Sequence, residues 1–216
     1  PVMNGLITGL DDKKPVAMSW IYTQEPIHIL DAVYILSHAK NKVDFQKGVA
    51  LISAPGLNVM YGDAKGNVAW WATGKLYKHN DGVDTHFILD GSSGKDDITE
   101  YMDFSKNPSA VNPEWNFVYS ANNQSEAVDG FLYPGYYLPE DRAKRITQLL
   151  ELKSDWDKES VGKMLNDNTS LVSPVVVKNL ISGLDVSLLS QNEKEAVSIL
   201  NSWKGTNNTG DIAPTI

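Results

Sequence analysis

Leu57-Asn58-Val59-Met60-Tyr61-Gly62-Asp63-Ala64-Lys65-Gly66-Asn67-Val68-Ala69-Trp70-Trp71-Ala72-Thr73-Gly74 reads as a strand, a tight turn and a second strand. Valine, tyrosine and tryptophan suit a pleated, half-buried surface, and Gly66-Asn67 after Lys65 supplies the turn. A hairpin is therefore expected over residues 59–75. Two adjacent antiparallel strands need something to cover their apolar face, so the flanking segments decide the fold class.

On the N-terminal side, Pro15 to Tyr22 alternates as a strand does. Ile27 to Leu36 carries apolar residues around most of a helix, and Val43 to Leu51 reads as a second helix. On the C-terminal side, residues 78–115 hold Asp90-Gly-Ser-Ser-Gly94 and the pairs Asn107-Pro108 and Asn112-Pro113. Such punctuation predicts a long loop excursion. Asn116 to Ala121 reads as a further strand, ending at Asn122-Asn123.

Beyond Pro139 the pattern is helical. Glu140 to Leu152 has acids in its first turn and an apolar stripe at Ala143, Ile146, Leu149 and Leu150. Ser154 to Asp157 caps a second helix, Ser173-Pro174 opens a third that closes near Gly183, and Ser190 to Glu193 precedes a fourth. The expected class is α+β, with antiparallel strands in the first ~120 residues and a mainly helical remainder. The boundary divides residues 1–138 from 139–216, either as two domains or as a sheet and its attached helices.

Composition narrows the functions. Hydrophobic residues are 42% and charged ones 21%, ordinary for a globular chain. A net charge of −8, with Arg142 and Arg145 the only arginines, argues against a nucleic-acid partner, which needs clustered cations. The absence of cysteine excludes thiolate chemistry and disulfides within these residues. No apolar run reaches the length of a membrane span.

Common catalytic signatures are missing: there is no phosphate loop, no HExxH and no nucleophile elbow. His28, His38, His79 and His86 are scattered, and His28 reads as a packing or helix-capping residue. Trp70, Trp71 and Tyr77 together suggest an aromatic platform for a ligand. Neighbours in a strand point to opposite faces, so at most one of the two tryptophans faces any given site, and the favoured account is that one is core and the other packs beneath the helices. Read from the residues alone, Asn58 caps the strand entrance beside Gly56.

Motifs in order along the chain resemble those of the penicillin acylase family of N-terminal-nucleophile hydrolases. Pro1-Val-Met3 resembles the residues after His-Gly in an HGPV strand, and Val16 to Trp20 resembles the strand that follows. Ala54 to Asp63, continued by Gly66-Asn-Val-Ala69, is similar to the family's P-x-(H/Q)-N-x-x-x-A-D-x-x-G-N-I-G element. Leu89-Asp-Gly91, Asn112-Pro113, Tyr119 to Asn123, Arg142 to Ile146 and Leu200 to Gly205 match later elements.

The resemblance implies an amide hydrolase built on a four-layer αββα sandwich, acting on N-acylated small molecules such as β-lactams or acyl-homoserine lactones. In that chemistry an N-terminal serine attacks the acyl carbonyl with its own α-amino group as base, so no separate histidine is required. Asn58 matches the asparagine that donates to the oxyanion, and Trp70 and Trp71 are candidate substrate contacts. Pro1 cannot be the nucleophile, so the chain is expected to be an interior fragment of the β chain, inactive alone, with the other α and β segments of the precursor as its partners. No cofactor is expected here, although the family leaves room for a calcium ion in the full-length enzyme, with Asp63 in the relevant region. Many members carry an arginine after the hairpin, where this chain offers Lys78 or His79. A periplasmic or secreted location accompanies the resemblance.

Overall fold

A computed structural model describes residues 6–7, 16–24, 26–133 and 135–216. They divide into two compact units: residues 1–118 with 124–137, and residues 119–123 with 138–216.

In the first unit, Leu6–Ile7 (β1) and Val16–Ala17 (β2) form a short antiparallel pair. The strand expected through Tyr22 stops at Ala17, and Ile21–Thr23 winds into a 3₁₀ turn; Pro15 lies outside the described residues. Ile29–His38 (α1) and Lys42–Val49 (α2) pack against each other. His28 sits at the N-cap of α1, yet its ring meets the Asp31 carboxylate at 3.1 Å rather than a backbone N–H. Asn41 caps α2 by accepting from the Asp44 N–H.

The hairpin consists of Asn58–Gly62 (β3) and Val68–Ala72 (β4), with Asn58 opposite Ala72 and Gly62 opposite Val68. Period-two alternation puts Val59, Tyr61, Ala69 and Trp71 on one face. That face meets α2: Val49, Ala69 and Trp71 are buried together, with Leu36, Phe45, Val59, Tyr61 and Phe104 against them. The Phe45 ring stands 5.1 Å from Tyr61 and 6.3 Å from Trp71, within the range for favourable aromatic pairs. The opposite face carries Asn58, Met60, Trp70 and Ala72.

Residues 78–115 contain more order than their composition suggests. Tyr77–Lys78 (β5) pairs with Glu100–Tyr101 (β6), and Ser109–Val111 (β7) adds to β4 as the third strand of the hairpin sheet. Two asparagines fasten that return. Asn107, only 4% exposed, donates from Nδ2 to the carbonyls of Ala72 and Gly74, both at 2.9 Å. Asn112, at φ 47°, accepts from the Val68 N–H and donates to Asn67. The strand expected at Asn116 to Ala121 does not form. Asn116 and Asn122 adopt φ values of 61° and 57°, outside the extended range, and break the run at both ends.

The second unit holds Asp141–Glu151 (α3), Lys158–Leu165 (α4), Ser173–Ser182 (α5) and Gln191–Ser202 (α6). Reciprocal capping boxes start α4 (Asp157 with Ser160) and α6 (Ser190 with Glu193). The chain before α5 is held by Asp141, which accepts from the N–H groups of Leu171 and Val172 and from the Ser170 hydroxyl. Arg142 donates to Ala121 O and Asn122 Oδ1, and Arg145 forks onto Asp167. These bonds tie Tyr119–Asn123 to the helices. Ser170 N–H donates to Gly205 O, leaving no space for a side chain at Gly205. The class is α+β, with antiparallel sheets.

Candidate functional site

Asn58 opens β3 on the sheet face turned away from the core, and it is exposed. The strand entrance is held on both sides. Leu57 N–H donates to Thr73 Oγ1 at 3.0 Å, and Thr73 N–H donates to Leu57 O at 2.7 Å. The ends of β3 and β4 are thereby locked in register where Asn58 emerges.

Its carboxamide is oriented by one bond. Trp70 Nε1 donates to Asn58 Oδ1 at 2.8 Å. Trp70 lies opposite Met60, so Asn58 is its diagonal neighbour two residues along, a separation that an indole can bridge. An indole N–H can only donate. The group facing it must therefore be the carbonyl oxygen, which leaves Nδ2 pointing elsewhere. Among the described residues Nδ2 donates to no partner, and no charged side chain bonds to the carboxamide.

Trp71 is 2% exposed and belongs to the core, packed beside Phe45. Within these residues it therefore serves packing and presents little surface to a ligand. Trp70 and Trp71, two of the three rings of the expected platform, do not share a face. Tyr77 makes edge contacts with His79 and Tyr101 at centroid distances of 5.4 Å and 6.4 Å.

Lys78 and His79 are engaged by the loop that follows them. Lys78 Nζ reaches Glu100 at 3.2 Å, and His79 Nδ1 lies 2.8 Å from Asp96 O. Both therefore serve the β5–β6 excursion.

Asp63 closes the hairpin turn. Its Oδ1 accepts from the N–H groups of Lys65 and Asn67, and its Oδ2 from Asn67 Nδ2 and the Tyr61 hydroxyl. Those bonds, Asn67 first, hold the carboxyl down to about 2, while burial and the Asp63 charge push the Tyr61 phenol up. A calcium ion needs carboxylate oxygens free to ligate it. Here both oxygens are occupied, and no cluster of three or more His, Asp or Glu side chains suited to a metal occurs among the described residues. The residues present do not fit that ion.

A cavity of about 220 Å³ opens in the same unit between Pro26, Ile52, Lys75, Met102, Phe104 and Asn107. Asn58 is not among its lining residues. No helix among the described residues is long and apolar enough to cross a membrane.

The indole bond to Asn58 was hidden in the sequence by the turn. Residues 58 and 70 become diagonal neighbours only once Gly62 is paired with Val68, and this depends on the number of residues in the loop.

Comparison with known proteins places the chain. Thermostable penicillin G acylase from Alcaligenes faecalis is structurally similar, with a TM-score of 0.64 at 18% identity, over 92% of this chain and 38% of that one. The likeness shows that the two chains share an α+β fold. Acyl-homoserine lactone acylase QuiP of Pseudomonas aeruginosa is 30% identical over 156 residues, which cover 68% of this chain and 17% of that protein. The sequence matches the penicillin amidase family over residues 1–216, and the chain belongs to that family. It spans well under half the length of either relative.

Proposed function

We propose that this chain is a segment of an amide hydrolase that cleaves the N-acyl bond of a small molecule, and that Asn58 Nδ2 is one of its oxyanion donors. Family membership and the acylase names of the relatives support the reaction class. The observation that carries the site is an exposed Asn58 whose oxygen is already bonded and whose Nδ2 donates to no partner among the described residues.

In the complete protein a nucleophile from outside residues 1–216 attacks the acyl carbonyl. The carbonyl oxygen becomes negative, and the neutral carboxamide of Asn58 donates to it together with a second N–H from elsewhere. Collapse of the intermediate breaks the C–N bond, the amine leaves with a proton, and water then releases the acid. An amide N–H suits this task because it cannot ionise and needs no reorganisation when charge develops. Residues 1–138 would form the strand-rich part of the catalytic core within an αββα sandwich, and residues 139–216 its helical part. β-Lactams and acyl-homoserine lactones are the substrate candidates, and a periplasmic or secreted location fits both. Residues 1–216 alone would be inactive.

The test uses the full-length protein and an N-acyl substrate. Asn58→Ala should lower kcat by ~10²–10³ with a near-normal KM, since removing one oxyanion donor acts on the transition state. Turnover equal to wild type would remove the assignment.

A further inference from the structure

We infer that Trp70 is a positioning residue: its indole N–H selects the orientation of the Asn58 carboxamide that presents Nδ2 to the developing oxyanion. The inference rests on the oxyanion reading of Asn58 and adds a residue to it. An exposed asparagine at a strand end turns readily about its last side-chain bond, and its two amide orientations are nearly isosteric. In one of them Oδ1 faces the reacting carbonyl, where an acceptor repels the charge that forms. The other presents the NH₂ group.

The structure breaks that symmetry. Trp70 Nε1 lies 2.8 Å from Oδ1, and turning the amide over would set an NH₂ group against an N–H that can only donate. Trp70 is itself well held. It stands in β4, the middle strand of the sheet, opposite Met60 on one side and Ala110 on the other. An aromatic side chain has two rotatable bonds, so little freedom remains to blur the donor's position. Core packing does not account for its placement, because the residue packed into the core is its neighbour Trp71.

A steady-state double-mutant cycle in the full-length protein tests this. Trp70→Phe keeps an aromatic ring and removes the donor. It should lower kcat roughly fivefold to tenfold, the worth of one ordinary hydrogen bond, and leave KM within about twofold. In the Asn58→Ala background the same change should have almost no further effect on kcat, since nothing is left to orient. A full additional loss there would show that Trp70 acts independently of Asn58 and would overturn the inference. So would an unchanged kcat in Trp70→Phe alone while Asn58→Ala is impaired, an outcome that spares the oxyanion reading. Wild-type turnover in Asn58→Ala would remove both. Should Trp70→Phe fail to fold, Asn58→Ala is read by NMR: one tryptophan indole N–H resonance should move upfield as its acceptor is lost. No such shift would equally overturn the inference.

Discussion

Asn58 and Trp71 lie on neighbouring strands of one hairpin and meet opposite fates, because alternation sends one side chain outward and the other into the core. Trp71 is among the largest fully buried side chains, packed with Val49 and Ala69 under α2. Truncation to alanine there removes a large apolar surface and leaves a cavity that rigid strands on both sides cannot close. Trp71→Ala should destabilise the chain by about 3–5 kcal/mol, measured by urea unfolding. A loss below about 1 kcal/mol would mean that Trp71 is not the centre of this core. Asn58→Ala should leave stability nearly unchanged, since its side chain is exposed, so its effect belongs to turnover. The two variants separate the buried face of the hairpin from the exposed one that carries the proposed oxyanion donor.

At the scale of elements, the turn is governed by Asp63. Gly66 takes a positive φ of 84°, and the Asp63 carboxylate gathers four donors across the loop. Its folded value of about 2 lies below the ordinary 3.8, so ionised Asp63 favours the folded chain. For a depressed carboxyl, that contribution is fully present above the unfolded value and disappears as pH falls through the folded one. Asp63→Asn should therefore be less stable than wild type above pH 4, with the gap in urea midpoint narrowing as pH drops from 4 toward 2. A gap independent of pH would show that the carboxylate charge is not what holds the turn. The helices depend on shorter-range devices. Asp157 and Ser190 were readable as caps because a capping box joins residues three apart, and local rules suffice there. Ser109–Val111 is illegible in the sequence for the opposite reason: three residues carry no period, and β7 is defined by its pairing with β4, which Asn107 and Asn112 fasten at its two ends.

For the whole molecule, long-range contacts between loop backbones are decisive. In the helical unit, Gly205 has φ 91°, and a Cβ on it would run into the Ser170 carbonyl. Gly205→Ala should destabilise this unit by ~1–3 kcal/mol, from the left-handed backbone and the lost approach together. Circular dichroism at the helical wavelengths during urea unfolding would report it, and an unchanged midpoint would contradict the close approach of the two loops. The sequence by itself determined the hairpin, the helices flanking it, the helices after Pro139 and the motif order that pointed to the penicillin amidase family. Each of these rests on periodicity, caps or turn chemistry, which act over a few residues. Only the tertiary structure decided which tryptophan is buried, that 116–121 forms no strand, that Asp63 is consumed by its own turn and that Trp70 holds Asn58. Those outcomes depend on strand register and on contacts between residues far apart in the chain, and no local pattern encodes them.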